Sequence, residues 1–298
     1  MKLFHLLLYI LLSSYLTAQS FTDISSISNF ISMDGEVGIA DIDGDGDEDI
    51  LQIGLHCNPA AQLCINEGDL NFKIITDTDF IPVHNEAFKF ADIDNDGDQD
   101  ILIMGFERTF ENPGTRLYEN DGSGNFTELT HSKFVGLANG SIDFEDIDND
   151  GDQDVLITGS AIPNGSEREP KAIIYENNGE GIFTEINNSI LPGIWSSKTA
   201  FVDINGDEKK ELFMFGWSDN NPENISRVFR NDGDGEFYVM TDQLIEATQI
   251  ISASFSDIDL DGDIDLLVMG IDFNERFATF LINDGFGNFT EKPAPDSF

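Results

Sequence analysis

The stretch FADIDNDGDQDILIMG at residues 90–105 decides how this chain folds, because it places a nine-residue acidic loop between two apolar segments. The loop pattern D-x-D-x-D-G-D-x-D recurs at residues 41–49, 92–100, 146–154 and 257–265, and a degraded copy occupies residues 203–211. Carboxylates this close together repel one another unless a hard cation lies among them. The loops therefore predict calcium sites.

The acidic loops recur at a nearly constant interval. Their first aspartates are 51, 54, 57 and 54 residues apart, which is typical of propeller blades. An almost wholly apolar segment such as Ile101–Gly105 leaves each loop, and a later turn such as Asn120–Gly124 is rich in residues that suit a tight hairpin. We predict an all-β fold, a β-propeller of four-stranded antiparallel blades with five visible units, either a closed five-blade ring or part of a larger propeller.

The expected units span approximately residues 34–80, 81–133, 134–190, 191–246 and 247–298, after a secretory signal peptide at residues 1–20. In this leader Lys2 precedes a short apolar run, Leu3–Leu12, and small residues around Ala18 suit a cleavage site. We expect the mature chain to be secreted or held at the cell surface.

The residues after each loop exclude an EF-hand. That motif needs two flanking helices and a bidentate Glu at position twelve, counted from the first loop residue. Here the flanking segments are typical of strands, and position twelve is Gln52, Ile103, Ile157, Met214 or Val268. A nine-residue loop closing a β-hairpin fits instead, with Gly at position six allowing the sharp turn.

The acidic loop preceded by Phe, the apolar strand ending in Gly, and the Asn-Asp-Gly-x-Gly-x-Phe-Thr turn together resemble the FG-GAP/VCBS repeat family, which includes the propeller head of integrin α chains. The resemblance covers residues 34–292 and implies calcium in each intact loop. It implies side-chain ligands at Asp41, Asp43, Asp45, Asp49, Asp92, Asp94, Asp96, Asp100, Asp146, Asp148, Asp150, Asp154, Asp257, Asp259, Asp261 and Asp265. It implies backbone carbonyl ligands at Asp47, Asp98, Asp152 and Asp263.

The fourth loop departs from this pattern. Glu208 replaces the glycine at position six, and Lys209 and Lys210 place positive charge where a cation is expected. Our hypothesis is that a lysine ammonium partly substitutes for the ion. We therefore expect weak or absent metal binding by the loop residues Asp203, Asn205, Asp207 and Glu211.

Charge and cysteine content bound the possible partners. The net charge of −42 argues against nucleic acid or anionic lipid as a ligand, and no segment after the leader is long and apolar enough for membrane insertion. We expect a monomer.

In an exported chain the two cysteines, Cys57 and Cys64, are expected to form a disulfide across one loop, with a pair of free thiols as the alternative.

Both tryptophans fall on the face of the blades opposite the acidic loops, where the connecting segments vary most between units. Trp195 and Trp217, beside Arg168 or Arg227, would suit a glycan or a protein contact, whereas the alternative is packing between blades.

The acidic loops account for the paired carboxylates, so we expect no enzymatic activity. We predict a calcium-stabilised binding or adhesion module for extracellular protein or glycan. The alternative is the scaffold or catalytic domain of a secreted polysaccharide-degrading enzyme.

Overall fold

The structure, a computed structural model, describes residues 35–54, 61–107, 113–162, 167–186, 190–219, 221–241, 244–245, 249–272 and 275–293. These residues form twenty strands and no helix, so the all-β prediction is confirmed, and within them nothing helical could cross a bilayer. The predicted signal peptide lies outside the described residues.

The strands have the alternating and apolar patterns expected from their sequences. In chain order they are β1 (Gly35–Ala40), β2 (Asp49–Gly54), β3 (Ala61–Asn66), β4 (Phe72–Ile75), β5 (Val83–Ala91), β6 (Asp100–Glu107), β7 (Pro113–Asn120), β8 (Phe126–Glu128), β9 (Ile142–Glu145), β10 (Asp154–Ala161), β11 (Glu169–Glu176), β12 (Thr184–Ile186), β13 (Trp195–Val202), β14 (Glu211–Ser218), β15 (Asn221–Asn231), β16 (Phe237–Thr241), β17 (Gln249–Ser256), β18 (Asp265–Asp272), β19 (Glu275–Asn283) and β20 (Phe289–Pro293).

Each run of four consecutive strands forms one antiparallel sheet with its strands in chain order. We call these sheets blades 1 to 5, from β1–β4 to β17–β20. Each acidic loop joins the first strand of a blade to the second, and in blade 1 the register pairs Ala40 with Asp49 across the loop. Five such four-stranded meanders are the blades of a β-propeller, as the repeat predicts.

Apolar clusters join each blade to the next. Leu51 and Ile53 on the second strand of blade 1 pack against Ile101 and Ile103 on the second strand of blade 2. Equivalent clusters join blades 2 and 3, blades 3 and 4, and blades 4 and 5. Alternate residues of one second strand therefore face two different blades, which explains why these strands are apolar at nearly every position.

In blades 2 to 5, an asparagine at or just after the end of the third strand adds a polar link to the preceding blade. Asn120 of blade 2 donates its side-chain amide to the carbonyl of Ile42, the second residue of the acidic loop in blade 1, at 2.8 Å. The same bond joins Asn177 to Ile93 at 2.7 Å. Asn231 of blade 4 donates in the same way to the carbonyl of Ile147 in blade 3, and Asn283 of blade 5 donates to the carbonyl of Ile204 in blade 4. The repeated asparagine, which turn chemistry alone would explain, thus also joins the blades.

The predicted disulfide is not tested by these residues. Cys64 lies within β3, where its side chain is fully buried, and burial raises the pKa of its thiol. Its expected partner, Cys57, lies outside the described residues. The pairing therefore stays a prediction.

Candidate metal centres

The carboxylate at position nine anchors each intact acidic loop to the rest of its blade. In loop 1, Asp49 accepts hydrogen bonds from the backbone N–H groups of Ile42, at 2.9 Å, and Asn66, at 2.6 Å. Asp100, Asp154 and Asp265 make the same pair of bonds in their own loops. All four side chains are buried. Position nine, expected only as a metal ligand, therefore also ties the loop to the third strand.

Backbone geometry bends each loop around its carboxylates. The backbone N–H of Gly46 donates to Asp41 at 3.0 Å, and that of Asp47 donates to Asp45 at 2.9 Å. Position six has φ values of 92°, 96°, 99° and 103° in the four intact loops, which is the left-handed region that glycine adopts without strain. Position four is also left-handed, for example at Leu260 with φ 66°, a requirement that the sequence pattern did not indicate.

Each intact loop brings three carboxylates close enough to bind one metal ion. Within each cluster the candidate ligand oxygens lie within 4.8 Å of one another, and the clusters are Asp41, Asp43 and Asp45; Asp92, Asp94 and Asp96; Asp146, Asp148 and Asp154; and Asp257, Asp259 and Asp265. Two clusters thus combine positions one, three and five, and two combine positions one, three and nine. Of the side-chain ligands predicted, Asp49, Asp100, Asp150 and Asp261 fall outside these clusters, as do the position-seven aspartates predicted to contribute carbonyls.

Buried oxygens without hydrogen-bond donors show that these clusters fit a cation. Oδ1 of Asp43, Oδ1 of Asp94 and Oδ1 of Asp146 are buried and have no partner among the described residues. Burial and neighbouring carboxylates also raise the pKa of Asp43, Asp94, Asp148 and Asp259. A buried carboxylate oxygen without a donor is costly unless a cation compensates it. An all-oxygen set of this kind suits calcium.

The fourth loop forms no such cluster among the described residues, and its lysines do not take the place of an ion. Nζ of Lys209 donates to the carbonyl of Asp232 in the same blade, and Nζ of Lys210 lies 2.6 Å from Oε2 of Glu145 in blade 3. Our hypothesis that a lysine ammonium substitutes for the cation is therefore wrong, because both ammonium groups bind outside the loop. The amide of Asn205 instead donates to Glu211 at 3.3 Å.

We expect the substitution Glu208→Gly to stabilise the fold. Glu208 has φ 69° at position six, and a left-handed conformation costs a side-chain-bearing residue about 1 kcal/mol relative to glycine. Urea unfolding should show a gain of about that size. The matched change Glu48→Gly, at an exposed loop position without positive φ, should instead destabilise by roughly 0.5–1 kcal/mol. Equal effects of the two changes would contradict the strain argument.

The two tryptophans meet at the ends of their strands opposite the acidic loop. Trp195 pairs with Trp217 across β13 and β14, and their rings stack with centroids 6.5 Å apart at 28°. The guanidinium of Arg168, from blade 3, lies 5.5 Å from the Trp195 ring centroid. The indole N–H of Trp195 donates to Asp219 at 3.2 Å. Both rings are half-buried, so this cluster, which we call the aromatic cluster, presents stacked π surface beside charged groups. Asp219 was not among the predicted residues.

A second polar region lies where the first strands converge. Residues of β1, β5, β9 and β13, together with Gly140 and Ser141, line a cavity of about 440 Å³ that contains the charged groups Glu36, Lys89, Asp143 and Lys198. Burial raises the pKa of Asp143 to about 7, although the hydrogen bond from the Thr199 hydroxyl and the charges of the two lysines act in the opposite direction. Charges from four blades therefore meet in one cavity.

This pKa predicts a pH-dependent effect of Asp143→Asn. An aspartate whose pKa rises from 3.8 to about 7 on folding favours the folded state below pH 4, and this contribution is lost as the pH rises through 7. Each pKa unit corresponds to about 1.4 kcal/mol. Urea unfolding gives the free energy of unfolding of Asp143→Asn minus that of the parent at each pH. This difference should be at least about 1.4 kcal/mol more positive at pH 8 than at pH 5. Asp77→Asn, at an exposed position, is the control. A difference that does not change with pH would contradict this prediction.

Comparisons with known proteins agree with this architecture. The family model described as the FG-GAP-like repeat matches residues 41–103, 92–157 and 203–268. No curated protein matches the chain.

Among solved structures, a lectin of Agrocybe aegerita that recognises non-reducing terminal N-acetylglucosamine aligns with a TM-score of 0.59 and 19% identity, over 87% of this chain and 65% of the lectin. The V. cholerae biofilm matrix protein Bap1 aligns with a TM-score of 0.41 and 17% identity, over 93% of this chain and 42% of that protein. A fructofuranosidase of Schwanniomyces occidentalis aligns with a TM-score of 0.39 and 12% identity, over 84% of this chain and 58% of the enzyme. The chain thus spans less than two thirds of each of these proteins, and the lectin supports the fold.

Proposed function

Because this chain belongs to the FG-GAP-like repeat family, we propose that it is an exported, calcium-stabilised β-propeller that binds an extracellular glycan or protein. Calcium is structural in this proposal. Bound in the four intact loops, it neutralises the carboxylate clusters and supplies no chemistry beyond coordination. The side chains that would hold it are those of the four clusters, and the buried oxygens without donors support its presence.

The aromatic cluster is the observation that carries the ligand-binding part of the proposal. Stacked indole rings offer a flat apolar surface to the C–H face of a sugar or to an apolar side chain. Arg168 and Asp219 lie beside this surface, so they can donate to and accept from ligand hydroxyl groups. The cluster combines residues of blades 3 and 4 on the face away from the acidic loops. Calcium in the loops would stabilise the strands from the opposite end and leave this face open to a ligand.

The proposed location outside the cell rests on the expected leader and on calcium availability. Extracellular calcium modules bind the ion at roughly 10⁻⁴–10⁻³ M, a range that matches the calcium available outside cells. The large negative charge supports the same location, because it disfavours nucleic acid and anionic membrane surfaces as partners.

Binding to an immobilised glycan panel in millimolar calcium tests this function. The panel should include terminal N-acetylglucosamine, the sugar recognised by the lectin of similar fold. We expect Trp217→Ala to weaken binding about five- to thirtyfold, since an aromatic contact that the ligand buries is worth roughly 1–2 kcal/mol. Tyr238→Ala is the matched control. This exposed ring also lies beside a guanidinium, with Arg230 5.3 Å from the ring centroid, but it belongs to β16 and not to the aromatic cluster.

The outcomes of this experiment separate the proposal from its alternatives. If Trp217→Ala and Tyr238→Ala bind the glycan equally well, the aromatic cluster is not the binding site. Failure of every glycan, with capture of a protein that Trp217→Ala loses, would make protein the ligand. Release of new reducing or unsaturated ends from a polysaccharide would instead support the enzyme alternative.

A further inference from the structure

The four junctions between blades share one design. At each junction the second residue of the acidic loop is an isoleucine that is almost completely buried, at 1–2% exposure, and lies under the next blade: Ile42, Ile93, Ile147 and Ile204. Its carbonyl accepts the amide of the asparagine that ends the next blade's third strand. We call the side of a blade that offers this isoleucine its forward face, and the side that offers the asparagine its rear face.

The forward face of blade 5 lacks the blade that this design requires. Ile258, the fifth isoleucine of the series, is 38% exposed, and no described asparagine donates to its carbonyl. Met269 is 44% exposed. The residues equivalent to Met269 in blades 1 to 4 are buried against the following blade: Ile53, Met104, Thr158 and Phe215. Blade 5 thus presents one half of a junction.

The rear face of blade 1 presents the other half. Val37 and Ile39 are 55% and 64% exposed, whereas the equivalent Phe88 and Phe90 of blade 2 pack on blade 1. The amide of Asn66, which ends the third strand, donates to Glu48 of its own loop and to no described residue of another blade. Gln52, which faces the same side as Val37, is buried, and its Oε1 has no partner among the described residues.

We propose that these two faces bind one further four-stranded blade of the same repeat type, placed between blade 5 and blade 1. Such a blade brings an asparagine amide to the carbonyl of Ile258 and an apolar rear face to Met269. Its own forward face covers Val37 and Ile39 and presents a loop carbonyl to the amide of Asn66. Each contact repeats one that the chain already makes four times, which is why a blade fits both faces.

A second copy of the chain fits less well. Its free faces are also a blade 1 rear face and a blade 5 forward face, located at opposite ends of its array. It could therefore cover one face and leave the other exposed, unless two copies joined into a ring with twice as many blades. The high net negative charge also opposes association of two copies.

The test appends a second copy of residues 81–133, the unit that contains Phe88, Phe90 and Asn120, to the C-terminus of the full chain. In saturating calcium we expect calorimetry to show one transition, several degrees above that of the parent chain. The control extension carries Ser at the copies of Phe88 and Phe90 and Ala at the copy of Asn120. It should leave the parent transition unchanged.

Ile39→Lys supplies a second readout. In the parent chain this exposed residue should tolerate lysine with no change in midpoint, whereas in the extended chain lysine should lower the midpoint by several degrees. An added unit that melts separately, or an equal effect of Ile39→Lys in both chains, would overturn the proposal. Light scattering of the parent chain that shows concentration-dependent association, abolished by Ile39→Lys, would overturn it in favour of a second copy.

Discussion

Chelating calcium is expected to lower the thermal midpoint of this chain by roughly 20 °C or more, the largest effect predicted for any single change of conditions. A native-only site at 100 times its Kd contributes about 2.7 kcal/mol, so four intact loops together contribute about 11 kcal/mol. For a protein of this size, about 1 kcal/mol shifts the midpoint by roughly 2–4 °C. Differential scanning calorimetry in millimolar calcium and in excess chelator measures the difference directly.

Magnesium is the control for this experiment. It demands a small octahedral site and gives up its water reluctantly, so replacing calcium by magnesium should recover only a small part of the lost stability. Identical midpoints in calcium and in chelator would mean that the carboxylate clusters hold no structural ion. The assignment of calcium to these loops would then have to be withdrawn.

Asp100→Ala should destabilise the chain by about 3–6 kcal/mol both in calcium and in chelator. The buried carboxylate accepts backbone hydrogen bonds from Ile93, at 3.0 Å, and Asn120, at 2.8 Å. Its removal leaves two buried N–H groups without acceptors, and each hydrogen bond to a charged group contributes about 1.5–3 kcal/mol. Urea unfolding under the two conditions gives both values.

Asp96→Ala in the same loop separates metal binding from anchoring. Asp96 belongs to the cluster of three carboxylates, and its charge raises the pKa of Asp94. In calcium, Asp96→Ala should destabilise the protein because the ion loses a ligand. In chelator it should have little effect, because removing one carboxylate relieves repulsion among those that remain. If Asp100→Ala were harmless in chelator, position nine would act only as a metal ligand, contrary to its hydrogen bonds.

Much of the fold could be predicted because the repeat encodes it locally. A loop with regularly spaced aspartates, a glycine at position six and an apolar strand after it is sufficient to identify the hairpin of each blade, since each feature acts within about fifteen residues. The proximity of Trp195 and Trp217 also follows from their places at facing ends of adjacent strands. The division of the second strands between two blades follows from their lack of polar alternation.

Other features of the candidate sites could not be predicted, because they depend on contacts between distant residues. The directions taken by Lys209 and Lys210 are set by Asp232 and Glu145, which lie 23 and 65 residues away in sequence. The anchoring role of Asp100 depends on Asn120, which only strand pairing brings beside it. Asp219 joins the aromatic cluster through the turn after β14, and nothing in its local sequence distinguishes it from other surface acids.

The sequence by itself determined the all-β blades, the five visible repeat units and the positions of the acidic loops, because backbone geometry, apolar periodicity and charge repulsion act over short distances along the chain. Only the tertiary structure decided which carboxylates form a cluster, which asparagines link blades, and which faces of the array remain exposed. These features depend on how blades pack against one another, and the same residues are buried or exposed according to whether a neighbouring blade is present. Ile42 and Ile258 occupy the same place in the repeat, yet one is buried and the other is exposed.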